Sequence, residues 1–368
     1  MRQFSFLLIP LFVISMTSCA QNNTPINDAY SYEVIVPDLT IPWGFTFLPD
    51  ESILITEKSG EMIHYKNGKK TKVQGLPPIE VQGQGGLLDV KLHPDYSKNG
   101  WIYITYASAE GRGNGANTAL MRFKLNGNQI TNKDLLYKAT PNTSRGQHFG
   151  SRIEFDTDGY LYFTIGDRGN RDVNPQDITL DGGKVYRLHD DGRIPEDNPF
   201  IDKSNAKKAI YSYGHRNPQG MKRHPKTGEI WTHEHGPRGG DEINIIAKGL
   251  NYGWPKISYG INYSGTKFTK YTSLPGMEQP LHHWTPSIAP SGMAFVTSDI
   301  YPELKGHLLV GSLKFQYVNL CILKNQKVVK EEKLLDRIGR VRSMRQGPDG
   351  YMYVGVENLG IVKVIAKK

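Results

Sequence analysis

Residues 148–165 read HFGSRIEFDTDGYLYFTI: an alternating apolar run, a turn built on Asp and Gly, and a second run rich in aromatic and branched side chains. Alternation sends successive side chains to opposite faces and Asp-Gly turns the chain tightly, so the stretch predicts a β-hairpin. Five more copies follow the same plan: IPWGFTFLPDESILITE at 41–57, GGLLDVKLHPDYSKNGWIYITY at 85–106, RNPQGMKRHPKTGEIWTHE at 216–234, APSGMAFVTSDIYPELKGHLLVGS at 289–312 and IGRVRSMRQGPDGYMYVGV at 338–356. Aligned on their second strands, they bring Ile53, Ile102, Leu161, Ile230, Leu308 and Met352 into register. One hairpin cannot bury both of its faces. Six of them, each extended to a four-stranded antiparallel blade, bury them against one another around an axis. The fold expected is an all-β, six-bladed β-propeller; the rival, a β-sandwich, leaves the sixfold repetition unexplained.

The 368 residues would suit two domains by length alone, but propellers run long as one unit, and 39 Gly and 20 Tyr suit many short strands. No linker interrupts the repeats, so residues 33–368 are assigned to one catalytic domain and 19–32 to a tether. Residues 1–18 read as a signal peptide: Arg2, the apolar run FLLIPLFVISM, then Thr17-Ser18-Cys19. Cys19 after Thr-Ser resembles a bacterial lipobox, with Met16 where Leu is usual. The expectation is an exported, periplasmic or outer-membrane-anchored lipoprotein that touches the membrane only through a lipid at Cys19; the alternative is an ordinary cleaved signal. Cys321, in YVNLCIL, reads as a buried strand thiol. With Cys19 acylated no disulfide is available, and the core must hold the fold. The net charge of +9 is scattered along the chain. It suits a small anionic ligand and argues against nucleic acid.

Repetition also predicts where chemistry lies, because equivalent segments of every blade converge at one end of the axis. The residues leading into the hairpins are Trp43, Gln84 with Gly85-Gly86, Gln147-His148, His215-Arg216-Asn217, Ser291-Gly292, and Arg340 with Arg342. Arg340 and Arg342 flank Val341 and share a strand face, with Arg216 arriving from another blade. Gathered guanidiniums need an anion: either a planar polycarboxylate ligand or Asp and Glu partners of their own. The segment HEHGPRGGDEINIIAKGLNYGWP at 233–255 is irregular. Its freed carbonyls, with Asp241 and Glu242, suit calcium. His233 and His235 are the zinc alternative, short of further ligands. His148 is either a general base or a backbone-satisfied ring. Asp167, in TIGDRGNRD, either orients His148 or caps its own turn.

The blocks GQGGLLDV, HFGSRIEF, IGDRGNR, LDGGKVYRL, YGHRNPQGM, HEHGPRGGDEIN, KGLNYGWP, GINYSG and RQGPDGYMYV resemble the pyrroloquinoline quinone (PQQ)-dependent aldose sugar dehydrogenases, relatives of soluble PQQ glucose dehydrogenase, over most of residues 35–365. The resemblance implies oxidation of an aldose at C1 to the lactone. In it His148 takes the proton of the anomeric hydroxyl, Arg216 stands beside it, and hydride passes to the quinone. It implies that Gln84, Arg216, Asn217, Tyr263, Lys314, Arg340 and Arg342 contact PQQ. It further implies that the carbonyls of Gly236 and Pro237 hold a Ca2+ beside PQQ, and that Glu242 and Tyr252, the latter through its carbonyl, hold a second, structural Ca2+. An external quinone or small redox protein would take the electrons. Three positions depart from the family pattern: Ser343 where an Asp is usual, SLKFQ around Lys314, and Gln147 before the base. A calcium-dependent sugar lactonase and a non-catalytic carbohydrate-binding propeller are the competing readings. The arginine set argues against the first, and His148 with the calcium segment against the second. The insertions at 108–117 and 262–282 carry no motif that names the sugar.

Overall fold

The computed structural model describes Met1 and residues 26–367. The rest of the signal segment, Cys19 and the tether as far as Pro25 lie outside the described residues. Six separate antiparallel sheets of four strands stand around one axis. In every blade the two innermost strands are one of the six copies: Pro42–Phe47 with Ile53–Glu57, Leu87–Leu92 with Ile102–Ser108, Ile153–Phe155 with Leu161–Ile165, Pro218–Arg223 with Ile230–Glu234, Pro290–Phe295 with Leu308–Ser312, and Val341–Gln346 with Met352–Val356. The six residues aligned by repetition each open the second strand of their blade, and each is at most 5 % exposed.

Two outer strands complete each blade. Blade six takes Gly360–Ala366 as its third strand and Tyr30–Pro37, from the other end of the chain, as its fourth. This pairing closes the ring. The strand starts inside the stretch read as tether, and Tyr30 is buried there, with its ring 5.9 Å from that of Tyr301. The cores lie between neighbouring blades: Leu309, Leu320, Val341 and Val354 pack between blades five and six, Tyr103, Phe155 and Phe163 between two and three. Each such side chain contributes about 1.5–3 kcal/mol when fully buried. Cys321 is a free, buried thiol, as its apolar surroundings predict.

All six inner strands run the same way along the axis, and five of them carry a register shift near the end at which they start. Such bulges bend the strand and re-aim the residues leading into it. In blade four the bulge needs glycine: a Cβ on Gly220 would lie 2.0 Å from His233 Nε2. The axis itself is plugged by Arg152 of blade three. Its guanidinium donates to the carbonyls of Trp43 (3.1 Å), Gln219 (2.6 Å) and Arg342 (2.8 Å) and to Asp89 Oδ1 (3.2 Å), so it ties blades one, four, six and two together.

Candidate active site

The starting ends of the inner strands converge as repetition predicts. What holds them there is a second repeated feature. In four blades the second strand ends at, or within two residues of, a carboxylate that reaches back to the same blade's lead-in segment. Glu57 accepts from Ile41 N (2.9 Å), Asp167 from the ring of His148 (2.6 Å), Glu234 from His215 Nδ1 (2.9 Å) and Arg216 N (2.5 Å), and Glu357 from Arg340 Nε (2.6 Å) and Arg342 Nε (3.0 Å). The sequence reading considered only Asp167. The signal was present in the sequence: two aligned copies end ITE and THE, and two are followed within two residues by a carboxylate, in IGD and VGVE.

His148 sits in the left-handed backbone region, with φ of 56°, and its amide donates to Gln84 Oε1 (2.9 Å). A carboxylate only accepts, so Asp167 fixes the proton on Nδ1 and leaves Nε2 with its lone pair. Nε2 has no partner among the described residues. Asp167 does both of the jobs that the sequence left open. Its Oδ1 also accepts from Gly169 N (2.7 Å), closing the turn, and its Oδ2 accepts from Trp254 Nε1 (2.8 Å). Burial pushes the His148 pKa down, against the opposing pull of Asp167. Burial works to raise the Asp167 carboxyl, but the hydrogen bond from His148 and the charge of Arg216 leave it lowered.

Arg216 is buried and donates to the carbonyl of His235 (3.0 Å), yet it pairs with no carboxylate among the described residues. Asn217 Oδ1 accepts from Gly150 N (3.1 Å), and its Nδ2 is buried without a partner. Arg340 and Arg342 do have an anion of their own, Glu357, the second of the two alternatives that the sequence left open for them. One carboxylate nevertheless answers two guanidiniums. Lys58, which the sequence reading missed, adds a further charge: its ammonium donates to Gly83 O (2.9 Å), and burial and then Arg342 push its pKa down. Lys314 is exposed, its ammonium 4.9 Å over the Phe315 ring. Tyr263 is 73 % exposed, and nothing among the described residues holds its hydroxyl. The structure therefore gathers Gln84, His148, Arg216, Asn217, Arg340 and Arg342, and leaves Lys314 and Tyr263 free at the rim. Positive charge in excess and an unmet buried donor fit a polyanionic quinone.

The calcium segment divides. Asp241 is not available as a ligand. Its two oxygens accept from Gly236 N (2.8 Å), Ser287 Oγ (2.7 Å), Ile288 N (2.8 Å) and Ala289 N (3.0 Å), which ties the loop to blade five. The carbonyls of Gly236 and Pro237 accept no backbone hydrogen bond among the described residues, nor does that of Tyr252. Gly236, Glu234, Glu242, Tyr252 and Arg216 line one cavity of about 10 Å³. Within it Glu242 is pushed up to about 8, by burial first and by the facing Glu234 second. Two carboxylates, Glu234 buried and Glu242 half-buried, with only Asn244 between them (3.2 and 3.3 Å), fit a cation. The zinc alternative fails. His233 Nε2 lies 3.3 Å from Gly292 O and His235 Nε2 2.6 Å from Pro290 O, so each ring is turned to a carbonyl of blade five.

The family model for glucose/sorbosone dehydrogenases matches residues 39–362. The chain belongs to that family. It is 42 % identical over 362 residues to the aldose sugar dehydrogenase YliI of Escherichia coli (strain K12), covering 96 % of each chain. The apo-form crystal structure of the Escherichia coli soluble aldose sugar dehydrogenase superposes with a TM-score of 0.88, at 42 % identity, covering 92 % of this chain and 100 % of that one. The PQQ-bound aldose sugar dehydrogenase of Streptomyces coelicolor gives a TM-score of 0.74 at 26 % identity, covering 92 % and 98 %.

Proposed function

We propose that this glucose/sorbosone dehydrogenase family member is an oxidoreductase that takes aldoses to lactones at C1, with PQQ as cofactor and calcium as metal. The observation that carries the reading is the His148–Asp167 pair: a ring nitrogen kept neutral and unpartnered beside Arg216, at the end of the axis where positive charge collects. Arg216, Arg340, Arg342, Lys58 and Lys314 would meet the carboxylates of PQQ, Asn217 Nδ2 a quinone oxygen, and Gln84 would hold the His148 loop in place. The carbonyls of Gly236 and Pro237 would hold the catalytic calcium; Glu242 and the Tyr252 carbonyl would hold the second. The two-electron oxidant is what PQQ supplies when bound, with calcium as its Lewis acid. The chain's own part is proton removal. His148 Nε2 takes the anomeric hydroxyl proton, and Asp167 steadies the imidazolium that forms.

The electrons would leave to an external quinone or small redox protein, and residues 1–19 support export and a lipid anchor at Cys19. The test is to add PQQ and calcium to the purified protein, follow the cofactor absorbance, and then add an aldose without oxygen. Reduction of bound PQQ in a single turnover is expected. No binding of PQQ, together with calcium-dependent opening of a sugar lactone, would replace the proposal by the lactonase reading. Sugar binding without either reaction would leave a carbohydrate-binding propeller.

A further inference from the structure

None of the side chains assigned to the reaction lies at the far end of the axis, yet charge collects there too. Lys91 of blade two, Glu154 of blade three, Lys222 of blade four and Arg345 of blade six stand near the finishing ends of their inner strands. At about 3.3 Å per residue they lie on the order of 10–20 Å from the lead-in segments. With Arg152 and Asp89 just above them, four cations face two carboxylates. Both carboxylates are already shared: Glu154 pairs with Lys91 and, at 3.4 Å, with Lys222, while Asp89 holds Arg152 (3.2 Å) and lies 3.8 Å from Arg345. Blades one and five bring only apolar side chains here, Phe45 and Met293.

Two donors remain unspent. Lys222 Nζ makes no hydrogen bond among the described residues, and its side chain is 21 % exposed. Arg345 uses Nε on Phe45 O and Nη2 on Val90 O (2.6 Å), leaving Nη1 without a partner among the described residues. Both residues line a cavity of about 20 Å³ with Arg152 and Asp89. That is space for about one water-sized particle. Burial first, then the charge of Lys91, pushes Lys222 down to about 7, the response of an ammonium that lacks a full counter-charge.

We propose that this cavity is a site for one small monovalent anion of chloride's size, held between Lys222 and Arg345. An anion there meets the two free donors and offsets one of the two surplus positive charges. A water would meet the donors and leave the charge. Bulkier oxyanions exceed the space. The site is structural: it binds the native ring, whose blades two, three, four and six alone bring these groups together.

The purified protein should therefore melt higher in sodium chloride than in sodium gluconate at equal ionic strength, by roughly 2–4 °C at about ten times the dissociation constant. Lys222→Met should remove the difference, and Arg345→Gln should reduce it. Crystals soaked in bromide should show an anomalous peak between Lys222 Nζ and Arg345, which needs no variant to fold. Equal melting in the two salts overturns the proposal. So does a chloride effect that survives in Lys222→Met, or a cavity without bromide.

Discussion

His148 draws its reactivity from two neighbours that act through opposite ends of its ring. Asp167 fixes the proton on Nδ1, and burial keeps the ring neutral. Replacing His148 by Gln keeps a polar group of similar reach but no base, so turnover should fall by about 10²–10⁴ while PQQ still binds. Asp167→Asn should cost a comparable factor without touching the cofactor's charge partners. An amide cannot accept from His148, Gly169 and Trp254 together, so one of its NH2 protons must oppose a donor. The pH profile separates the two variants. The wild-type ring is pushed below its usual value, so the rate should fall only as pH drops through that lowered value, below the ordinary imidazole range. Asp167 works to raise that value, so in Asp167→Asn the acid limb should move further down. Unchanged single-turnover rates in His148→Gln would remove His148 as the base. The residues of this pair were visible in the sequence as candidates, and their joint role as one of two alternatives that the sequence left undecided. Asp167 and His148 are 19 positions apart, and only the hairpin's return brings them to 2.6 Å.

The second strands carry the supports, and the supports differ in what they hold. Glu57 accepts from the backbone amide of Ile41 through Oε2, and its Oε1 is buried without a partner among the described residues. Burial raises its pKa. Glu357 answers two guanidiniums, one of them nearly buried, with Arg342 11 % and Arg340 46 % exposed. Glu57→Gln should therefore change stability by less than about 1 kcal/mol. Glu357→Gln should cost about 2–3 kcal/mol, discounted for the exposed arginine, and should weaken PQQ binding by releasing both side chains. Urea unfolding of the two variants checks the contrast, and equal losses would reject it. Glu242 makes a different prediction on the neighbouring strand. Calcium that binds only the native state adds about 2.7 kcal/mol at a hundred times its dissociation constant. Melts with chelator and with excess calcium should differ in the wild type, and Glu242→Gln should lose most of that difference. An unchanged shift would take Glu242 off the ligand set. The inner hairpins were legible because turn residues and alternation repeat six times. Glu57 and Glu234 were legible in principle, since they occupy one aligned position, with Glu357 one residue further on, but a carboxylate at a strand end reads as solvated until its partner is known.

The ring closes by a contact that leaves no local trace in the sequence. Tyr30–Pro37 has the alternation of an ordinary strand, and its partner Gly360–Ala366 lies more than 320 residues away. The amino end was therefore read as a tether up to residue 32. The axial plug is equally silent, because Arg152 in SRIEF looks like any charged residue on an alternating strand. Its setting is what distinguishes it: it is buried, its guanidinium lies 4.1 Å over the Trp43 ring, and four blades present acceptors to it. Burial first, with Arg342 and Arg345 adding to it, pushes its pKa down to about 10 against the pull of Asp89, so it remains charged at neutral pH. Arg152→Leu fills the space without meeting any of these acceptors. It would strip the carbonyls of Trp43 and Gln219 of its hydrogen bonds, leave the Arg342 carbonyl with Ser291 Oγ (2.8 Å) alone, and leave Asp89 as a buried charge whose nearest remaining cation, Arg345, is 3.8 Å away. Breaking a buried pair from one side typically costs about 3–5 kcal/mol. The loss should appear as lower global stability and as faster amide exchange in the inner strands of blades one, two, four and six, while the outer strands exchange as before. Blade five supplies no acceptor to Arg152, so its inner strand should be the least affected. Exchange that rises equally in all six inner strands would mean that Arg152 fills the channel without tying the blades together.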